Sequence, residues 1–339
     1  MHEISNSIDL SRRQCLRLAM GVSSAALTFA GHTKPNTLLW RERLMVGLGT
    51  TLSLRAGHAS VERADAGLDA AVKAIRHVEH HMSLFNPDSS LCRLNRDGIL
   101  LHPDPDLVKV LSIAASVSEC SHGSFDVTVQ PIWNAWQSAK SMNRLPTPDE
   151  LKIARDKTGW RNVEISANRI RFLKPNMALT LNGIAQGYAS DLAREALHEH
   201  GIEHALIDTG EWSTLGHSPE SQPWSIGVEN PRQLSAIVAR IMSDGRAVAT
   251  SSDVHCSFSS DLKNHHIFDP KTACSPSDIA SVTVLAPTCT LADALTKVMF
   301  MAGTKRAMAV ANKWGVDVII VDKAGHILTS PALSYSRTT

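Results

Sequence analysis

The stretch over residues 265–303 holds side chains whose types and spacing suit chemistry on a phosphate. It opens with a pair of histidines, the second of which is His266, and with Asp269 directly before a proline. A residue in that position favours extended, non-helical backbone. A buried strand is predicted over residues 279–286, followed by a helix that carries Asp293. A carboxylate in the first turn of a helix, beside a His/Asp loop, can hold a metal and a phosphate. The alternative is that Asp293 only complements the helix dipole and that His266 is an ordinary loop histidine.

A second candidate for anion binding lies over residues 179–191, where a predicted strand runs through a glycine-flanked turn into a helix. Gly183 and Gly187 leave backbone amides accessible at the N-terminus of that helix, where an anion is favoured. The spacing matches neither GxGxxG nor a P-loop. The pattern therefore predicts an anion site without specifying the anion.

Charge composition argues against one class of partner. The 339 residues include 34 Lys+Arg and 33 Asp+Glu, a formal net charge of +1. Because positive and negative charges are nearly balanced, we expect no nucleic-acid partner. The length allows one large domain or two smaller ones with a sizeable core.

The first thirty residues have the features of an export signal. Arg12 and Arg13 precede an uncharged apolar run over residues 18–30, and a twin arginine before such a run is typical of twin-arginine signal peptides. The run is too short to span a bilayer stably. The alternative is a buried N-terminal helix. We predict that residues 1–30 form a twin-arginine signal and that the protein is periplasmic, with association with the inner membrane left open.

The remaining elements favour an α+β architecture. Helices are predicted after Ser60, over residues 106–120 and after the capping box that starts at Thr147. Residues 41–54 alternate as one strand, interrupted by glycines that mark a bulge or a close backbone approach. Short strands and hairpins mixed with these helices predict mixed, mostly antiparallel sheets with packed helices.

Seven stretches in this order resemble one family, the FAD:protein FMN transferases, usually called ApbE-like. The resemblance covers nearly the whole chain after the signal, and the ordered set is far more specific than any single motif. The stretches are Gly47–Thr51, Gly123–Thr128, Leu181–Tyr188, Ala249–Asp253, His266–Pro270, Val282–Thr288 and Ala292–Leu295.

The resemblance implies an ApbE-like, T-fold-related domain over residues 36–335 and a specific reaction. Proteins of this family look like exported, magnesium-dependent enzymes that split FAD. They attach FMN through a phosphoester to a threonine of a partner protein and release AMP. The implied partner is an acceptor protein with a flavinylated threonine, in particular an exported or membrane-bound electron-transfer subunit. FAD is thus the implied substrate and Mg²⁺ the implied metal.

The resemblance also assigns roles to positions of this sequence. The positions similar to flavin-binding ones are Leu48, Phe85, Ser124, Phe125, Asp126, Thr180, Gln186 and Phe268. The positions similar to metal-binding ones are Gly183, through its carbonyl, and Asp293, Thr296 and Lys297. His266 and Asp269 lie in the loop expected to face the reacting phosphate, where Asp269 would act on the acceptor hydroxyl.

The sequence departs from the family pattern at the metal position. Lys297 stands where the family usually has a threonine, four residues after Asp293 and on the same helical face. Either the ammonium partly replaces magnesium in neutralising the pyrophosphate, or the metal site is lost; Thr296 is a candidate substitute ligand. Gln186 and Thr180 stand where the family commonly has lysine and aspartate.

Three functions remain open on the sequence alone. The first is the FMN transferase, for which the signal and the turn over residues 181–187 are similar to the NosX-type branch associated with nitrous oxide reduction. The second is a flavin-binding or carrier protein that has lost transfer, which Lys297 favours. The third is an FAD pyrophosphatase, in which water replaces the acceptor hydroxyl.

Overall fold

The computed structural model describes residues 38–337, which fold as α+β with antiparallel strand pairing throughout the named sheets. The helices in this part of the chain are α1 Val61–Met82, α2 Ser90–Asp97, α3 Pro105–Cys120, α4 Gln130–Ser141, α5 Pro148–Asp156, α6 Ala185–Glu199 and α7 Cys289–Trp314. The strands are β1 Leu39–Gly47, β2 Thr50–His58, β3 Ile99–Leu101, β4 Val163–Ile165, β5 Arg169–Phe172, β6 His204–Asp208, β7 Trp212–Leu215, β8 Ser225–Asn230, β9 Gln233–Met242, β10 Ala247–Ser252, β11 Ile279–Ala286, β12 Asp317–Asp322, β13 Ile327–Thr329 and β14 Tyr335–Arg337.

An eight-stranded sheet forms the centre of the fold. Its strand order is β1-β2-β6-β7-β10-β11-β12-β13, and two three-stranded sheets, β14-β9-β8 and β3-β5-β4, accompany it. Helix α6 packs on both α1 and α7, and α7 also packs on β10 and β11. The predicted fold class is confirmed.

The burial of strand β11 shows that the large sheet is covered on both faces. All eight of its residues are buried. Val282 and Val284 belong to the main core with the helices, whereas Leu285 belongs to a second core formed with strands β8 and β9. Because successive side chains of a strand point to opposite faces, a continuous apolar run is what a strand between two layers requires.

The first predicted strand is wrong in one respect, because residues 41–54 belong to two strands. β1 and β2 form an antiparallel hairpin, with Gly47 paired with Thr50 across the turn. Leu48 and Gly49 make the turn with φ of 51° and 78°, respectively. Left-handed backbone favours glycine, so the glycines mark a chain reversal and not a bulge.

The predicted helices after Ser60 and Thr147 are confirmed together with their caps. The Ser60 hydroxyl accepts the amide of Arg63, and Thr147 and Glu150 form the reciprocal capping box of α5. The predicted signal over residues 1–30 lies outside the described residues. Among the helices that are described, none combines the length and apolarity needed to cross a membrane.

A buried ion-pair network joins the loop after β10 to the rest of the fold. Both Asp253 oxygens accept from Arg232, at 2.9 and 2.8 Å, and Lys323 Nζ lies 2.6 Å from Oδ2. Burial raises the pKa of Asp253, but the hydrogen bonds from Arg232 and Lys323 outweigh burial and hold that pKa below its usual value.

We expect Arg232→Ala to lower the free energy of unfolding by about 3 kcal/mol, the low end of the cost of breaking a buried pair, because Lys323 remains. Arg144→Ala is the matched control, since the pair of Arg144 with Glu150 is exposed and should contribute little. Denaturant unfolding measures both variants. Equal losses would mean that the Asp253 network does not stabilise the fold as a buried pair.

Candidate active site

The N-terminal ends of α6 and α7 lie side by side at the centre of the candidate site. The Gly187 amide donates to Asp293 Oδ2 at 3.2 Å. A Cβ on Gly187 would lie 2.3 Å from the Cys289 carbonyl oxygen, so only glycine fits between the two backbones. In return, Asp191 accepts the amides of Cys289 and Thr290, each at 2.8 Å. A carboxylate at a helix N-terminus is stabilising, and the two helices therefore fix each other.

Asp293 and Lys297 form an ion pair one helical turn apart. Lys297 Nζ lies 2.5 Å from Asp293 Oδ1 and 3.1 Å from the Asp293 carbonyl oxygen. The Asp293 side chain is 1% exposed and that of Lys297 is 19% exposed. A Cβ on Gly183 would lie 2.9 Å from Lys297 Cε. The structure thus brings Gly183, Asp293 and Lys297 together, as their predicted shared site requires.

Thr296 is buried beside this pair and anchors α7. Its hydroxyl lies 2.7 Å from the Asp293 carbonyl oxygen and 2.7 Å from Ser251 Oγ on β10. Both contacts are made with the chain itself. Its role as a metal ligand in place of a threonine at 297 stays a prediction.

The residues around Asp293 do not fit the magnesium ion that the resemblance implies. Mg²⁺ requires oxygen ligands in near-octahedral geometry at about 2.0–2.1 Å. Here one Asp293 oxygen accepts the Lys297 ammonium and the other accepts the Gly187 amide. Lys297 itself cannot be a ligand, because an ammonium has no lone pair to offer. The predicted metal position is therefore built around a cation that the chain supplies.

Glu211 is a buried carboxylate at this site that the sequence analysis missed. It is 6% exposed, and its Oε2 accepts the Thr250 amide at 2.9 Å. Burial, and after it the charge of Asp293, raises the pKa of Glu211 well above its usual value, while the charge of Lys297 acts in the opposite direction. Glu211 lies in the β6–β7 turn, outside the seven stretches that carry the family resemblance, so its place was not detectable from spacing.

The hairpin turn between β1 and β2 borders the same site. The Leu48 amide donates to Glu79 Oε1 at 2.8 Å, and the Leu48 carbonyl accepts Gln186 Nε2 at 3.4 Å. A Cβ on Gly49 would lie 2.8 Å from Phe85 Cε2, so the Phe85 ring lies against the turn. That ring is 70% exposed. Three of the predicted flavin-binding residues, Leu48, Phe85 and Gln186, thus lie around one turn.

Gln186 links this turn to the ion pair. It neighbours Gly187 in α6, and its amide nitrogen lies 2.8 Å from the position of a Cβ on Gly210. Gly210 precedes Glu211 and has φ of 100°. The Phe85 ring, the Gln186 amide and the Asp293–Lys297 pair are therefore connected by contacts at Gly49, Leu48 and Gly187.

Asp126 holds a loop. Its carboxylate accepts the Thr128 amide at 2.8 Å, the Thr128 hydroxyl at 2.6 Å and the Trp160 amide at 3.0 Å. Burial raises the pKa of Asp126, and these hydrogen bonds oppose the rise. Phe125 is buried in the main core. Direct contact of either side chain with flavin stays a prediction.

Thr180 connects that loop to the turn before α6. Its amide donates to the Val127 carbonyl at 2.8 Å, and its hydroxyl accepts the Asn182 amide at 3.3 Å. Ser124, at the start of the loop, is half-buried. The two segments that the resemblance assigns to flavin are therefore joined through their backbones.

Phe268 lies in a separate aromatic cluster. Its ring stacks on Trp136 and on Phe258, with distances between ring centroids of 6.0 and 5.9 Å. The residue is 6% exposed. The Trp136 indole donates to the Ala273 carbonyl at 2.9 Å. This cluster anchors the loop that carries the predicted catalytic residues.

The structure separates the roles of the two adjacent histidines. His265 is fully buried, its Nε2 lies 3.2 Å from the Pro276 carbonyl oxygen, and burial lowers its pKa to about 4. It is a neutral core histidine. His266 is half-buried, with Nδ1 3.2 Å from the Cys256 carbonyl oxygen. His266 is accordingly the one of the two that remains a candidate for chemistry.

Asp269 organises a tight turn. Its Oδ1 accepts the Lys271 amide at 2.9 Å, and its carbonyl accepts the Ala273 amide at 2.8 Å. Ala273 has φ of 61°, a backbone conformation that favours glycine, so this turn is strained. The catalytic role of Asp269 stays a prediction, and the turn shows how its carboxylate is held.

The fold and the site define an α+β protein in which a buried Asp293–Lys297 pair packs against the turn that contains Gly183 and Gly187. The chain belongs to the ApbE family, whose model matches residues 48–320. The family predicted from the ordered motifs is confirmed. Its NosX-type branch stays a prediction.

Proteins with assigned activity are similar over most of their length. The FAD:protein FMN transferase of Haemophilus influenzae is 28% identical over 296 residues, which cover 83% of this chain and 85% of that protein. The FAD:protein FMN transferase of Vibrio cholerae is 29% identical over 291 residues, which cover 81% of this chain and 85% of that protein.

Solved structures share the fold. The ApbE protein of Thermotoga maritima has a TM-score of 0.79 at 27% identity and covers 86% of this chain and 97% of its own. The flavin transferase ApbE of Vibrio cholerae has a TM-score of 0.75 at 25% identity and covers 87% of this chain and 98% of its own.

Proposed function

We propose that this protein is an FAD:protein FMN transferase, which moves FMN from FAD to a threonine of a partner protein. The observation that carries the proposal is the series of contacts from the Phe85 ring through the β1–β2 turn and Gln186 to the Asp293–Lys297 pair, in a chain of the ApbE family. An exposed ring and a lysine beside a helix N-terminus suit a flavin and its pyrophosphate.

The reaction balances without a redox step. The threonine oxygen forms a bond to the phosphorus of the FMN half, and the bond from that phosphorus to the bridging oxygen breaks. AMP leaves with the bridging oxygen, and the threonine proton passes to a base. Asp269 is the proposed base and His266 the neighbouring candidate, because both lie in the loop anchored by the aromatic cluster. The residues around Asp293 do not fit the ligand geometry of magnesium.

The proposed cellular setting follows from residues 1–30 and from the implied acceptor. We propose export by the twin-arginine route into the periplasm, with the domain of residues 36–335 acting on a membrane-bound electron-transfer subunit. A NosX-type role in nitrous oxide reduction is the finer form of this proposal, supported by the signal and by the turn over residues 181–187.

FAD should bind more tightly than riboflavin by at least about tenfold, the worth of one charge-assisted hydrogen bond to a phosphate. Fluorescence titration of the protein lacking residues 1–30 measures both affinities. Equal affinities would mean that the phosphates are not recognised at this surface.

The function itself is tested by mixing the protein with FAD and a candidate acceptor domain. A covalent FMN mass increment on the acceptor together with AMP is expected, and an acceptor with its threonine replaced by valine should gain no mass. Free FMN and AMP without the increment would instead support the pyrophosphatase. FAD binding without any product would support the carrier protein.

A further inference from the structure

The Lys297 ammonium lies where the family pattern places a divalent metal, and Asp293 holds it there. Asp293 receives two of its hydrogen bonds, one on the carboxylate and one on the carbonyl oxygen. The Gly187 amide fixes the other Asp293 oxygen. The lysine stem passes over Gly183, where a Cβ would lie 2.9 Å from Cε. The ammonium is therefore positioned before any substrate arrives.

The same ammonium retains capacity for a ligand. An ammonium has three N–H donors, and within residues 38–337 Lys297 Nζ makes two hydrogen bonds, both to Asp293. Its side chain is 19% exposed, so the lysine is not fully enclosed by the protein. A lysine ammonium in this state binds phosphate as a compact point charge.

A divalent ion would have to compete with this lysine for Asp293. Bringing magnesium to the carboxylate requires the ammonium to leave an oxygen at 2.5 Å, with the positive charges of ion and lysine then close together. The loss of the ion pair and the repulsion between the two positive charges both oppose metal binding. The tethered ammonium, by contrast, needs no free ion to be present.

We propose that Lys297 is the resident cation of this site and binds the pyrophosphate of FAD in place of a divalent metal, so that FMN transfer does not require magnesium. This inference rests on the proposed function for its substrate. The chemical class of ligand is a dinucleotide pyrophosphate, and the lysine contributes by binding the charge of the leaving AMP half.

Magnesium titration by calorimetry tests the inference without any catalysis. Wild type, Lys297→Thr and Lys297→Met are titrated with magnesium alone and with FAD present. Wild type should bind no magnesium at Asp293, whereas Lys297→Thr frees the carboxylate, adds a hydroxyl oxygen on the same helical face, and should bind it. His77, His81 and Asp104 form a separate cluster with metal-ligating atoms, so His81→Ala is the control that identifies heat from that cluster.

Flavin affinity gives a second readout. Lys297→Met keeps the stem but removes the charge, and should weaken FAD binding by about tenfold, the value of one charge-assisted hydrogen bond. Riboflavin affinity should not change. Should Lys297→Met fail to fold, as judged by thermal unfolding, Lys297→Thr in the absence of magnesium provides the same comparison.

Transfer in excess chelator completes the test. Wild type should transfer FMN equally with and without chelator, Lys297→Thr only with magnesium, and Lys297→Met poorly in both conditions. Wild type that binds magnesium as tightly as Lys297→Thr, or that stops in chelator, overturns the inference and leaves the proposed function intact. If no variant transfers FMN under any condition, the proposed function fails, while the two titrations still decide the role of Lys297.

Discussion

Replacing Asp269 by asparagine should lower the rate of FMN transfer by ~10²–10⁴-fold, the usual contribution of a general base, with FAD affinity unchanged. The structure makes this a selective substitution. Asp269 Oδ1 accepts the Lys271 amide, and an asparagine oxygen can accept it equally. The backbone hydrogen bonds of the turn, including that from the Ala273 amide, do not involve the side chain. The variant thus loses the charge and keeps the turn.

Single-turnover transfer at saturating FAD, with flavin titration alongside, measures the effect. Asp261→Asn is the matched control, because Asp261 is exposed and its Oδ1 accepts the Lys263 amide in a similar turn. That control should transfer at the wild-type rate. A fully active Asp269→Asn would exclude Asp269 as the base, and a variant that unfolds or loses FAD would show that Asp269 only holds the loop.

Replacing Gly187 by alanine should lower the free energy of unfolding by about 3 kcal/mol, the upper end of typical overpacking costs. The added methyl group would lie 2.3 Å from the Cys289 carbonyl oxygen, and a backbone atom cannot move aside as a side chain can. Separating α6 from α7 would also lengthen the hydrogen bond from Gly187 to Asp293. FAD affinity should therefore fall together with stability.

Gly67→Ala is the matched control for that prediction. Gly67 also lies inside a helix, but a Cβ there would meet Ile202 Cγ1 at 2.9 Å, an atom of a side chain that can adjust. Because alanine favours helix over glycine by about 1 kcal/mol, this variant should lose little stability. Denaturant unfolding and flavin titration are measured on both. Similar losses would show that the contact between α6 and α7 tolerates a methyl group.

The sequence predicted best where local rules act alone. The caps at Ser60 and Thr147 and the apolar run of β11 are local signals, and the structure confirms them. The single strand over residues 41–54 was wrong because the alternation of apolar residues continues on both sides of the turn. Only the pairing of Gly47 with Thr50 reveals the reversal.

At the candidate site, the sequence could order the motifs but could not assign every role. The adjacent histidines look equivalent in the sequence, and burial alone separates the neutral core His265 from the half-buried His266. Asp126 belongs to a motif, yet its carboxylate is engaged by the chain's own donors. Glu211 belongs to none of the motifs, since its place depends on how the β6–β7 turn meets Thr250 of β10 and the charges of Asp293 and Lys297 on α7.

Lys297 shows most clearly which features follow from the sequence and which follow only from the tertiary structure. Helical spacing by itself determined that Lys297 and Asp293 share a face, because residues four apart are neighbours on a helix. The sequence also determined the family, through the order of its motifs. Only the tertiary structure decided that the lysine turns inward: Gly183, from the turn before α6, leaves room for its stem, and the Gly187 amide fixes the carboxylate that it meets. The geometry of the pair depends on contacts between residues more than a hundred positions apart in the chain, and a local sequence pattern cannot predict such contacts.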